Sequence, residues 1–277
     1  MDPAKKMKDQ AVAKDDGLLG SVVDIAEQAA GVIMQIYKTP FEVRHKTDGS
    51  PVTEADLAAD ALISEGLASL SRACPVVSEE SEIPSYEIRT RWKRLWLVDP
   101  LDGTHGFVGR TGEFAVNIAL VEDHRPTLGV VYAPADRTCY YARSGYGAFR
   151  RDPDGTHTRL SVRATAVSPI RVVTSYSRRN PLTNEFIGRF GDVRIERMGS
   201  ALKSCRVAEG RADVYPGFSR TSEWDTAAAQ CIVEEAGGQL VDTARRPLRY
   251  NTRPSLDNPR FLATGDTQRD WTRDIPR

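Results

Sequence analysis

Between Leu95 and Arg143 apolar residues stop recurring at helical spacing and come in alternating or unbroken β-rich runs, "LWLVD", "FAVNIALVE", "TLGVVYAP" and "TCYYAR". Gly, Pro and charged turns part these runs, a pattern that folds as a meander of neighbouring strands. Helices precede it. From Leu18 to Tyr37 apolar residues return at helical spacing (Leu19, Val22, Val23, Ala26, Ala29, Ile33), which gives a helix with one buried face. A second helix starts after "SPVT": Thr53 is its N-cap, Asp56 lies three residues on, and Leu57, Ala61, Leu62 and Leu67 form its apolar stripe.

After about Arg151 the pattern restarts with strands at "IRVVTS" and "DVRIERM", a helix from Ser200 to Glu209 and a strand "ADVYP". A last helix, Thr226 to Ala236, stops at Gly237 and Gly238, and "QLVD" and "FLATG" follow as strands. Helix and sheet alternate in both halves, so the expected class is α/β (α+β) in two lobes, residues 18–155 and 156–277. Residues 1–17 read as a flexible polar tail.

Forty per cent of the 277 residues are hydrophobic, enough for a sizeable core. Lys plus Arg equals Asp plus Glu at 38 each, which argues against broad binding to nucleic acid or a membrane surface. The expected partner is a small molecule held by local residues. Cys74, Cys139, Cys205 and Cys231 are widely spaced without a CxxC pair, as suits reduced thiols in a cytoplasmic protein. The N-terminus lacks a signal peptide's apolar core, and no later stretch reads as long and apolar enough to span a bilayer.

Acids stand where apolar segments end: Asp56 in "VTEAD", Glu79 and Glu80 in "VVSEES", Asp99 and Asp102 in "LVDPLDG", and Asp225 in "EWDTAAA". Singly, each reads as a helix cap, a turn residue or a solvated loop acid. Gathered in one place, they must take up protons or bind cations, because like charges near 4 Å repel by roughly 4 kcal/mol at an effective dielectric of about 20. An all-oxygen ligand set without His or Cys suits Mg²⁺, with Mn²⁺ as a substitute. Pro100 biases Asp99 to extended geometry, so that Asp99, the Leu101 carbonyl and Asp102 can face one point. Gly103 then lets a backbone N–H approach a phosphate, and Thr104 adds a hydroxyl where a short helix begins.

In "VVSEES", "WLVDPLDGT" and "WDTAAAQCIVEEAGG" the chain resembles the inositol monophosphatase superfamily of magnesium-dependent, lithium-sensitive phosphatases. "TDGSPVTEADLAAD", "GEFAVNIALVEDHRPTLGVVYAP", "GSALKSCRVAEGRADVYPGF" and "PLRYNTRPSLDNPRF" are similar to its bacterial 3'(2'),5'-bisphosphate nucleotidase branch. The resemblance implies a layered αβαβα sandwich with two or three Mg²⁺ ions between the lobes. It makes Glu79, Asp99, the Leu101 carbonyl, Asp102 and Asp225 the metal ligands. Asp56 and Thr104 would hold and help deprotonate the attacking water, and Glu80 would orient the ligands. The implied reaction is in-line hydrolysis of adenosine 3',5'-bisphosphate to AMP and phosphate, clearing a by-product of sulfate assimilation, by a monomer or homodimer.

Gly103, Thr104 and His105 would border the phosphate. Gly199, Ser200 and Lys203, at a helix start, would hold the 5'-phosphate or ribose, and Arg220 the base or second phosphate. The bland alternatives are a solvated Lys203 and an Arg220 without a role. The branch usually reads D-G-T-K-E-F, whereas here Thr104 is followed by His105, Gly106 and Phe107. This removes a cation and an acid from the rim, and His105 replaces the charge only when protonated. Either these positions are peripheral or substrate preference and pH dependence have shifted. Two rival readings remain: an inositol or sugar monophosphatase of the same superfamily, and a catalytically silent metal- or nucleotide-binding regulator. Against the latter, every ligand position keeps its acid.

Overall fold

A computed structural model describes residues 17–46, 49–71, 73–176 and 180–276. Apart from Gly17, the expected tail lies outside the described residues. Strands β1 (Val43–His45) and β2 (Pro51–Thr53) form a small hairpin. A seven-stranded sheet follows in sequence order: β3 (Val76–Ser78), β4 (Arg94–Asp102), β5 (Ala115–Glu122), β6 (Arg125–Ala133), β7 (Thr138–Arg143), β8 (Gly147–Arg151) and β9 (His157–Arg159). Only its β3–β4 pair is parallel; the rest is the expected meander. The second sheet contains β10 (Ile170–Thr174), β11 (Val193–Arg197), β12 (Val214–Gly217), β13 (Gln239–Asp242) and β14 (Phe261–Thr264), in the spatial order β11-β10-β12-β14-β13.

The helices are α1 (Leu18–Tyr37), α2 (Glu54–Leu70), α3 (Tyr86–Arg89), α4 (Thr104–Val108), α5 (Pro181–Gly188), α6 (Leu202–Ala208) and α7 (Ala227–Glu235). A reciprocal capping box starts α2, as read from "SPVTEAD": the Thr53 hydroxyl and the Asp56 carboxylate each satisfy a backbone N–H of the other's end.

Strand alternation sorts the core into layers. Trp96 and Val98 of β4, with Val116, Ile118 and Val130, pack against Val22, Ala26 and Ile33 of α1 and Ile63 of α2. Leu95 and Leu97, on the other face, meet Leu202 of α6, Ile232 and Val233 of α7, and then Leu240 and Phe261 of the second sheet. That sheet's far face, Ile170, Val172, Val214 and Leu262, is closed by Phe186 and Ile187 of α5 and by Trp271. The order is αβαβα, the sandwich expected. At Gly129 the α7 backbone lies so close that a Cβ would fall 2.3 Å from the Ala228 carbonyl. Glycine there lets helix and sheet touch.

Two expectations need correction, and some short elements had no signal in the sequence. The boundary at residue 155 falls inside the first sheet, since β9 pairs with β8. The β1–β2 hairpin and α5 were not read from the sequence, being too short for periodicity to register. Finally, α1 does meet the length and apolar composition of a membrane span, contrary to the reading above. Here its apolar side lies in the core, with Val22, Ala26, Ala29 and Ile33 at 0% exposure.

Candidate metal centre and its surroundings

The end of β4 explains why two acids three residues apart can serve one site. In a regular strand, residues at odd separation face opposite sides. Asp99 pairs with Asn117, but Asp102 pairs with Ala115, so β4 carries one more residue than β5 across this interval. The bulge turns Asp102 back to the side of Asp99. Asn117, opposite Asp99, accordingly donates through Nδ2 to Asp102 Oδ2 at 3.2 Å.

Glu79, directly after β3, and Asp225, closing the turn of 3₁₀ helix before α7, converge on Asp99. Ligand oxygens of Glu79, Asp99 and Asp225 all lie within 4.8 Å of one another. Ionised, each pair would repel by at least roughly 3.5 kcal/mol at an effective dielectric of about 20. Burial, then the charges of Glu79, Asp102 and Asp225, hold the Asp99 carboxyl well above the usual carboxylate range. Asp225 is raised likewise by burial and by Asp102, although the Ser222 N–H donates to it at 2.8 Å. Asp102 is raised by burial, against the pull of Lys203 and its hydrogen bonds. Carboxylates forced together in this way call for further positive charge, and an all-oxygen set fits a hard divalent cation. Asn117 Oδ1 is buried without a partner among the described residues, a further acceptor left open beside the acids.

Asp102 stands beside the trio and is partly engaged elsewhere, since its Oδ2 also accepts the Ala201 N–H at 2.5 Å. Asp56, Thr104 and Leu101 form a chain: Thr104 Oγ1 lies 3.5 Å from Asp56 Oδ1 and 3.3 Å from the Leu101 carbonyl. The Thr53 N–H and hydroxyl fix Asp56 Oδ2 at 2.7 Å each. Burial raises the Asp56 carboxyl. Glu80 is pushed up to about 7 by burial, with Lys46 pulling the other way.

Several residues the sequence suggested stand differently from what was expected. The Gly199 N–H, expected to be open to a phosphate, is taken by Glu113 Oε2 at 3.0 Å, and the neighbouring Ala201 N–H by Asp102. Lys203 is neither solvated nor at the rim. It is 6% exposed, its Nζ donates to the Ser200 carbonyl at 2.5 Å, and burial lowers its pKa. Its bond falls on Ser200, which adopts the left-handed conformation, φ 55°. Arg220 sits at the surface and donates to Asp257 at 2.8 Å, and His105 is exposed.

Sequence reasoning missed three contributors. Lys46, at the end of β1, donates to Glu79 at 2.8 Å and Glu80 at 2.6 Å. Asp60, one helical turn beyond Asp56, binds Ser78 and Ser81 and so steadies the segment carrying Glu79 and Glu80; the i, i+4 spacing was its signal. Glu113 is the third: its carbonyl is approached closely by Gly103, Gly106 and Gly199, where a Cβ would lie 2.8, 2.7 and 2.6 Å away. A Cβ at Gly106 would crowd the Glu113 carbonyl, so this packing suits the glycine of "THGF".

A profile of the inositol monophosphatase family matches residues 16–270. The chain is 44% identical over 249 residues to the 3'(2'),5'-bisphosphate nucleotidase CysQ of Salmonella typhimurium, covering 89% of this chain and 99% of that one. Among solved structures it resembles CysQ of Bacteroides thetaiotaomicron, with a TM-score of 0.80 and 36% identity over 93% of this chain and 100% of the other. It also resembles an inositol monophosphatase from Anabaena, with a TM-score of 0.73 and 27% identity over 93% and 96%.

Proposed function

The chain belongs to the inositol monophosphatase family, whose members hydrolyse phosphate monoesters with metal, and we propose that it is a Mg²⁺-dependent 3'(2'),5'-bisphosphate nucleotidase. Its leading substrate is adenosine 3',5'-bisphosphate, converted to AMP and phosphate. The observation that carries the chemistry is the convergence of Glu79, Asp99 and Asp225 within 4.8 Å. Likeness to nucleotidases along nearly the whole of both chains supports the substrate.

Glu79, Asp99, Asp225, the free oxygen of Asp102 and the Leu101 carbonyl would hold two or three Mg²⁺ ions. When bound, the cation neutralises the acids, acidifies water and stabilises developing negative charge on phosphate oxygens. Asp56 and Thr104 handle the proton: the attacking water gives its proton to Thr104 Oγ1 as the threonine hydroxyl passes its own to Asp56 Oδ1. The raised basicity of a buried Asp56 suits that task. Gly103, His105, Gly199 and Ser200 border the substrate, Arg220 lies farther out, and Lys203 acts by fixing Ser200. Glu80 keeps Lys46 beside Glu79.

The test is phosphate release with Mg²⁺ from adenosine 3',5'-bisphosphate, AMP and inositol 1-phosphate side by side, each with and without lithium. Preference for the bisphosphate with lithium inhibition is expected. Equal or faster turnover of inositol 1-phosphate overturns the substrate and leaves the metal chemistry standing. No turnover of any substrate overturns the enzyme reading in favour of a silent binder.

A further inference from the structure

Across the five-stranded sheet, the parallel register sets Arg171 of β10 beside Arg194 of β11, and Val172 beside Val214, which puts Asp213 on the other side of Arg171. Val172 packs toward α5, so strand alternation turns all three of these neighbours to the α6 face. Arg163, from the segment between β9 and β10, reaches Asp213 as well. The Asp213 carboxylate is 0% exposed and its oxygens are fully used. Oδ1 accepts Arg163 Nη1 and Arg171 Nη2, each at 3.2 Å, while Oδ2 accepts the Arg171 N–H at 2.7 Å and Arg163 Nη1 at 3.3 Å.

Charge does not balance along this row. Arg194 is exposed, has no hydrogen bond or ion pair among the described residues, and stands directly beside a like charge. Glu196, the acid two residues on and on the same face, is taken by Arg206 Nε at 3.1 Å. Arg171 is short of acceptors too. Its Nε is buried without a partner among the described residues, although 28% of the side chain is exposed. An unpaired buried donor and two adjacent guanidiniums are both costly, and one anion between them relieves both.

We propose that Arg171 and Arg194 form an oxyanion site for a phosphate group, separate from the metal centre. A tetrahedral phosphate presents oxygens to two guanidiniums at once, and its charge of nearly two offsets both cations, where a carboxylate offsets one. Arg171 and Arg194 are each second in their strands, whereas Gly199 and Ser200 follow the end of β11, so the two sites lie at opposite ends of the sheet. Free phosphate and the phosphate of a nucleotide share this chemistry.

The experiment is thermal unfolding of the full chain in EDTA, so that no cation draws phosphate to Asp99 and its neighbours. Inorganic phosphate or AMP is titrated against sodium chloride at equal ionic strength, in the wild type and in Arg194→Gln. This variant removes the exposed guanidinium and breaks no bond among the described residues. General salt exclusion stabilises both proteins alike and cancels in the difference. At about ten times the half-saturating concentration, phosphate should raise the wild-type melting temperature by about 3 °C more than that of Arg194→Gln. A shift with phosphate alone identifies the free anion as the ligand, and a larger shift with AMP identifies a nucleotide phosphate. Arg194→Glu should melt above the wild type in chloride and respond to neither ligand, because its carboxylate then pairs with Arg171. Equal shifts in the wild type and Arg194→Gln, or an Arg194→Glu protein that melts no higher than the wild type, overturn the proposal.

Discussion

The carboxylate of Asp102 accepts the backbone N–H of Ala201 at 2.5 Å, which ties the acidic end of β4 in the large sheet to the segment following β11 in the small one. Neutral replacements separate this bond from the charge. Asp102→Asn keeps an acceptor for the N–H and Asp102→Ala does not, so in EDTA the alanine variant should be less stable than the asparagine variant by about 1–3 kcal/mol. Urea unfolding of the pair measures the difference, and equal stabilities would mean that the bond contributes nothing net.

Asp99→Asn should separate stability from activity. Asp99 is 2% exposed and crowded by Glu79 and Asp225, so neutralising it removes repulsion from the protein without metal. Its melting temperature in EDTA should rise, by about 2–4 °C for each kcal/mol of repulsion relieved. Turnover should fall by about a hundredfold or more, since the cation loses a charged ligand. Parallel calorimetry and phosphate-release assays check both; retained turnover would remove Asp99 from the ligand set.

Lys46 shares Glu79 with the proposed cation. Its ammonium is held well above the usual lysine range by hydrogen bonds and the charges of Glu79 and Glu80, which outweigh the effect of burial. The residue therefore stays charged and competes for the same carboxylate. Lys46→Met should destabilise the protein in EDTA and lower the Mg²⁺ concentration that gives half-maximal thermal stabilisation, about tenfold for each 1.4 kcal/mol of competition removed. An unchanged midpoint in a Mg²⁺ melting titration would show that Lys46 and the cation do not compete.

The parts of the site legible in the sequence are those specified by short-range chemistry. "LVDPLDG" announces an apolar strand ending in acids, and "SPVTEAD" announces a capped helix, because capping and strand-end acids depend on neighbours a few residues away. The bulge that brings Asp102 to the side of Asp99 is not written in the strand, since it exists only relative to the register of β5. Lys46 and Glu113 were invisible for the same reason: their partners lie 33 and 86 residues away in sequence. Lys203 was placed on the correct helix, but periodicity could not tell that its ammonium turns inward beneath Ser200. The sheet order, with β11 on the edge, likewise follows from pairing between distant segments.

Glu223 gives the fold a pH dependence of its own. The side chain is 0% exposed; Oε2 accepts the Asn251 N–H at 2.6 Å, while Oε1 has no partner among the described residues. Burial pushes the carboxyl up to about 7, with the Asn251 N–H and the charges of Arg253 and Arg89 opposing. The sign follows from proton counts. Below the unfolded value, roughly 4.3, both states hold the proton. From there to about 7 the folded protein keeps a proton that the unfolded chain has released, so stability falls as pH rises, by up to about 1.4 kcal/mol per pH unit. Above that window both are ionised and the loss is complete. Glu223→Gln cannot titrate, so its stability should decline less than the wild type's between about pH 6 and 8, by on the order of 1 kcal/mol. Urea unfolding of both proteins at the two pH values checks this, and parallel declines would mean that Glu223 is already ionised in the folded protein at the lower pH.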